Sequence, residues 1–113
     1  MKLLRKDKLL KLKRKNHGNV KLSKAIDKLI DDIESSVWKD KFELIESRPE
    51  ADRVHSENFF FLDINIHRTL ALVEFNEQCA GILWVGNHDE YDNNFKSNKK
   101  TIETWLRNHG KIR

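Results

Sequence analysis

The sequence predicts an α+β fold in which helices come first, a small antiparallel sheet follows, and one helix closes the chain. Three observations carry this reading. Apolar residues recur at helical spacing before Pro49 and at alternating spacing after it. Three β-rich runs separated by polar breaks lie between Phe59 and Val85, and a last amphipathic stretch stops at Gly110. With 113 residues, 38% of them hydrophobic and 9% aromatic, the chain supplies one modest core, so residues 1–113 read as a single unit.

Each element has its own signal. Lys2 to Arg5 can form a short first strand. Leu9, Leu10 and Leu12 then sit among the charged residues of Asp7 to Lys15, the pattern of an exposed basic helix lightly docked by its leucines. Asn16, Gly18 and Asn19 end it. Leu22, Ala25, Ile26, Leu29, Ile30 and Ile33 form a stripe that predicts a second helix from about Lys21 to Glu34. Asp40 followed by Glu43 resembles a capping box for a short helix through Ile45, which Pro49 prevents from extending. Phe59 to Ile66, Thr69 to Phe75 and Cys79 to Val85 then predict a three-strand meander, with Asn65 to Arg68 and Asn76 to Gln78 as turns. Phe60, Leu62, Ile64 and Ile66 make one wholly apolar face; Phe59, Phe61, Asp63 and Asn65 make a second that turns polar and should be wet at one end. Ser97 or Asn98 can cap the last helix, which carries Ile102, Trp105 and Leu106 on one side. Trp38, Phe60, Leu62 and Trp105 are expected core residues.

The net charge of +4 is unevenly spread. Met1 to Lys28 holds 11 Lys or Arg against 2 Asp, a balance of +9; Leu29 to Asp92 balances at −10 and Asn93 to Arg113 at +5. If folding brings both basic ends to one face, that face suits a polyanion such as RNA, because neutralised phosphates release counterions. Lys11, Lys13, Arg14 and Lys15 are the densest part of it. Solvated helix faces would give the same composition, and the acidic middle suits a partner with a basic surface. One cysteine, Cys79, leaves no internal disulfide and no Cys-based zinc site. No apolar stretch has signal-peptide or membrane-spanning length, so the expected compartment is the cytoplasm, with no membrane partner. His17, His55, His67, His88 and His109 are scattered without ligand spacing, so neither a metal nor a cofactor is expected.

The stretch ILWVGNHDEYDNNF, residues 82–95, passes from the most apolar run of the chain straight into Gly86, Asn87, His88, Asp89, Glu90, Tyr91 and Asp92. A stiff strand ending at a glycine can hold reactive groups at a sheet edge. An ordinary polar loop would have the same composition.

The segment from Trp38 to Asp92, with WKDKFELIESRPEADRV, FFFLDINIHRTLALVEF and ILWVGNHDEYD in that order, resembles the HigB branch of the RelE/ParE superfamily, the toxins of bacterial type II toxin-antitoxin systems. The ordered set of Trp38, Ala51 with Asp52, the LDI strand, Arg68, and His88 with Tyr91 and Asp92 carries the resemblance. The tail FKSNKKTIETWLRNHGKI is similar to the end of many relatives. The resemblance implies a RelE-like sheet flanked by helices and an mRNA interferase, an endoribonuclease that cuts mRNA in the ribosomal A site. It also implies a cognate antitoxin, often a helix-turn-helix protein of the HigA type, beside the ribosome and mRNA as partners. His67 stands where the family usually has a tyrosine before its arginine.

Metal-independent RNA cleavage needs a base for the 2′-hydroxyl proton, a cation to hold the phosphate as charge grows, and an acid for the leaving 5′-oxygen. His88 titrates in the useful range, Tyr91 can donate a hydrogen bond or stack on a base, and Arg68 can clamp a phosphate bidentately. Arg68, His88 and Tyr91 are therefore the catalytic candidates, and His67 is a candidate phosphate or base contact. Each residue has a plainer role open to it: Arg68 can pair with Asp63 or Glu74 across the hairpin, Tyr91 can plug the core, and Asp92 can cap a turn as readily as orient His88. Two other functions compete. ParE-type relatives poison DNA gyrase by binding, and a non-enzymatic RNA-binding module would also explain the basic ends.

Overall fold

The structure is a computed structural model that describes residues 1–55, 57–96 and 98–113. In chain order it runs β1 (Lys2–Leu4), α1 (Lys6–Lys15), α2 (Val20–Glu34), α3 (Lys41–Ser47), β2 (Asp52–His55), β3 (Phe59–Ile64), β4 (His67–Glu74), β5 (Cys79–Asn87), α4 (His88–Phe95) and α5 (Lys99–Asn108). The strands form one sheet in the order β1-β5-β4-β3-β2, antiparallel throughout except that β1 lies parallel to β5. The α+β class, the meander and the short first strand are as expected. β2 is an additional strand: DRVH offers a single aliphatic residue, Val54, and its pairing with Phe59 to Phe61 defines it, across a register shift between Arg53 and His55.

Alternation along β3 sends its side chains to two separate cores. Phe60, Leu62 and Ile64 join Leu9 of α1, the α2 stripe of Leu22, Ile26, Leu29, Ile30 and Ile33, and Trp38. Phe59 and Phe61 face the other way, into a cluster with Val54, Leu70, Tyr91, Phe95, Ile102 and Leu106. The second face is therefore dry at Phe59 and Phe61, because α4 and α5 cover it, and becomes wet only at Asp63. Trp105 packs against this second core without being enclosed; its ring lies between Phe95 and a stacked His109.

Capping follows the sequence signals with small changes. Asn19 caps α2 by accepting from the Leu22 amide. Asp40 caps α3 by accepting from the amides of Phe42 and Glu43, while Glu43 reaches back to the Lys39 amide. Asn98 caps α5 through the amides of Lys100 and Thr101; the alternative cap, Ser97, lies outside the described residues. Among the described residues, no helix is long and apolar enough to cross a membrane.

Candidate active site

The turn between β3 and β4 is tighter than expected. Asn65, at φ 63°, takes the left-handed conformation that asparagine tolerates well, so His67 and Arg68 fall at the start of β4 and not in the turn. The register then fixes their neighbours: Arg68 lies opposite Asp63 on one side and Gly86 on the other, and His67 lies between Ile64 and Asn87. Of the two acids open to Arg68, Asp63 is the partner, with Nε 2.9 Å from Oδ1. The guanidinium carbon lies 4.9 Å from the Tyr91 ring centre and 5.4 Å from that of Phe61, a cation resting on two aromatic faces. Burial alone would lower the Arg68 pKa, but the hydrogen bond and charge of Asp63 raise it above its ordinary value. The side chain is thus a fixed cation, 24% exposed.

The polar stretch after β5 is not a loop. β5 continues through Gly86 to Asn87, which is also the cap of α4: its side chain accepts from the Glu90 amide at 2.9 Å, and Glu90 Oε1 accepts from the Asn87 amide at 3.1 Å. This reciprocal capping box starts a helix immediately behind the strand. His88 occupies the first helical position and Asp92 lies one turn on, with Nε2 and Oδ2 3.2 Å apart. Asp92 thus lies at ion-pairing distance from His88 on the exposed side of α4. His88 is 76% exposed, whereas Tyr91, on the inward face of the same helix, is only 6% exposed.

Gly86 is required by contact and not by backbone conformation. A Cβ there would lie 2.5 Å from Cζ2 of Trp84 and 3.1 Å from Cβ of Glu90. The Trp84 indole is held against this shift by its packing on Phe61, Tyr91 and Phe95. Gly86→Ala should therefore destabilise the fold by roughly 1–3 kcal/mol through overpacking. Urea unfolding would measure this, and an unchanged midpoint would mean that the indole has room to move.

Asp63, Ile66, His67, Arg68, His88 and Tyr91 line one open groove of about 520 Å³. All three catalytic candidates and His67 are thereby brought together. On the far side of Arg68 and Tyr91 is a second groove of about 500 Å³, bordered by Asp52, Arg53 and Lys99. A third, of about 290 Å³, runs between α1 and β5, where Lys8, Lys11 and Lys15 face Trp84, Gly86 and Glu90. It exists because β1 pairs with β5 only from Cys79 to Gly81 and leaves the rest of that edge to α1. Of the four basic candidates on α1, Lys11 and Lys15 line this groove and Arg14 is exposed. Lys13 instead forms an ion pair with Asp27 of α2, Nζ to Oδ1 2.7 Å.

Three contributors were not singled out in the sequence. Arg48, buried, bonds to Asp32 at 2.7 Å, to Glu50 at 2.9 Å and to the Asp63 carbonyl at 2.8 Å, and so fixes the end of β3 from which Asp63 reaches Arg68. Nothing local in ESRPEAD marks this role. Lys8 stands in a run of similar residues that the sequence does not distinguish. The Asn87 and Glu90 pair did carry a signal, an N-cap residue followed three positions later by Glu. Among the described residues, no group of three or more His, Cys, Asp and Glu is placed to hold a metal ion. A comparison with curated proteins gives no match. A family model described as HigB_toxin, the RelE-like toxic component of a toxin-antitoxin system, matches residues 22–94, well over half of the 113-residue chain, and the chain therefore belongs to the HigB toxin family.

Proposed function

We propose that this toxin is a ribosome-associated mRNA endonuclease that acts in the cytoplasm, with residues 1–113 as one toxin unit, and that its antitoxin is a helix-turn-helix protein of the HigA type. The observation that supports this most is the meeting of Arg68, His88 and His67 at one open groove, with a lysine-lined groove nearby. In the reaction, the 2′-hydroxyl oxygen attacks the adjacent phosphorus, the bond to the 5′-oxygen breaks, one proton leaves the 2′-oxygen and one is delivered to the 5′-oxygen. His88, exposed and beside the Asp92 carboxylate, transfers one of these protons. Arg68 offers its guanidinium to the phosphate oxygens as charge develops on them. Tyr91 contributes as the platform beneath Arg68: Arg68, Phe61 and Phe95 all pack on its ring, so a stacked base has little of it to use.

On α1, Lys11, Arg14 and Lys15 supply affinity and not chemistry. Changing all three to Gln should weaken RNA binding and lower the salt slope of the association constant by about 2, at ~0.7 per phosphate contact on a single strand. Binding titrated at several salt concentrations would show it; an unaltered slope would remove α1 from the RNA path. The function itself is tested by adding the purified toxin to translating ribosomes and mapping mRNA ends. Cuts in register with codons are the expected result. Blocked DNA supercoiling without cuts would favour the gyrase reading, and RNA retention without cuts the binding-module reading.

A further inference from the structure

The groove holds two imidazoles in very different settings. His88 is exposed and has a carboxylate beside it. His67 is half-buried, and its Nδ1 is the one enclosed side-chain nitrogen or oxygen without a hydrogen-bond partner among the described residues. Its Nε2 is not enclosed in this way, and the ring lines the groove.

An imidazole with one nitrogen enclosed and without a hydrogen-bond partner has three possible proton arrangements. The cation places N–H on both nitrogens, which buries a charged donor with no acceptor and carries the largest penalty. The neutral Nδ1–H form also buries a donor with no acceptor. The neutral Nε2–H form leaves only a lone pair at the sealed position and turns its N–H toward the groove.

We infer that His67 is held neutral in the Nε2–H form and serves the groove as a fixed hydrogen-bond donor to an acceptor oxygen of the substrate, not as a proton carrier. The surrounding charges leave this balance in place. Glu90 on α4 favours the protonated ring, yet desolvation outweighs it and moves the His67 pKa below its ordinary value. The other ionisable groups bordering the groove are Asp63 on β3, Arg68 on β4, and His88 with Tyr91 on α4, and the first two are committed to each other. If the substrate is RNA, as proposed above, the matching acceptor is a non-bridging phosphate oxygen at the end of β4, where His67 and Arg68 leave opposite faces of the sheet and each offers a neutral-pH donor to the groove. His88 then has sole charge of proton traffic between these two histidines.

Two measurements test this. Long-range ¹H–¹⁵N correlation on the ¹⁵N-histidine-labelled toxin, with His67 assigned by its loss in His67→Gln, should show the Nε2–H pattern at pH 7 and a titration midpoint below that of an ordinary imidazole, about 6.5. An Nδ1–H pattern, or a midpoint at or above that value, overturns the inference. In single-turnover RNA cleavage, His67→Ala should slow the reaction about tenfold, as expected for one lost hydrogen bond, without moving the pH profile. His67→Gln, whose amide N–H₂ reaches the Nε2 position, should lose less than His67→Ala. Equal losses, or a pH limb that disappears with His67, would make it a proton carrier. A wild-type toxin that cuts no RNA would overturn the nuclease reading and the phosphate as acceptor, while the magnetic resonance result still decides whether His67 is the neutral donor.

Discussion

Arg68→Ala should reduce RNA cleavage by 100-fold to 1,000-fold and relieve the growth arrest caused by toxin expressed without antitoxin. The magnitude is that of removing one preorganised donor from a site where charge develops. Preorganisation is visible in the contacts: Asp63 holds Nε, the Tyr91 and Phe61 rings support the plane, and Arg48 fixes the strand end behind Asp63. Stability should change much less, by about 1 kcal/mol, because Asp63 is half exposed and returns to water when its partner is removed. Arg68→Lys should fall between the wild type and Arg68→Ala, since an ammonium keeps the charge and loses both the fork and the planar stacking. The variant must still be folded and bind antitoxin. Full arrest by Arg68→Ala at matched expression would place the active groove elsewhere.

His88→Gln should cost roughly 100-fold to 10,000-fold in rate, the usual range for loss of a proton-transfer group. Glutamine keeps a polar side chain at the first position of α4 and cannot exchange a proton near neutral pH. The exposure of His88 means that folding should be unaffected, so the loss should appear in the chemical step and not in antitoxin binding or in the unfolding midpoint. Asp92→Asn should give a smaller loss, because it weakens the orientation of His88 without removing the imidazole. The decisive measurement is the single-turnover rate across pH. If His88→Gln keeps both the rate and the pH dependence of the wild type, another group moves the proton.

Regular periodicity makes much of this fold legible in the sequence. The stripe of α2 and the alternation of β3 are long and consistent, and they fixed which residues meet in the first core. The second core was less visible. α4 is written HDEYDNNF, poor in strong helix formers, and its buried face consists of Tyr91 and Phe95 alone, so composition suggested a loop. Its start is set by the Asn87 and Glu90 box, a local signal that polar composition obscured. β2 was missed because a four-residue strand is defined by its partner and not by its own pattern. For the site, Arg68, His88 and Tyr91 are grouped by the resemblance to the HigB branch and by their chemistry, and they meet in space because they stand near the ends of adjacent strands. The engagement of Lys13 with Asp27, the sealed nitrogen of His67 and the clamp made by Arg48 all depend on contacts between distant segments, and no spacing in the sequence encodes them.

The seat of Arg68 has a consequence for genetics. Tyr91 and Phe61 belong at once to the second core and to the platform of the guanidinium, and Phe95 braces them with ring centres 5.7 Å and 5.0 Å away, itself backed by Trp84 at 5.0 Å. A selection for cells that survive toxin expression will therefore recover substitutions at Phe95 or Leu106 alongside those at Arg68 and His88. On a map of escape variants, the α4 and α5 half of the molecule would look like an extended catalytic surface. Soluble yield and antitoxin capture, scored for each survivor, would divide that map into residues whose loss disarms a folded toxin and residues that keep the platform level.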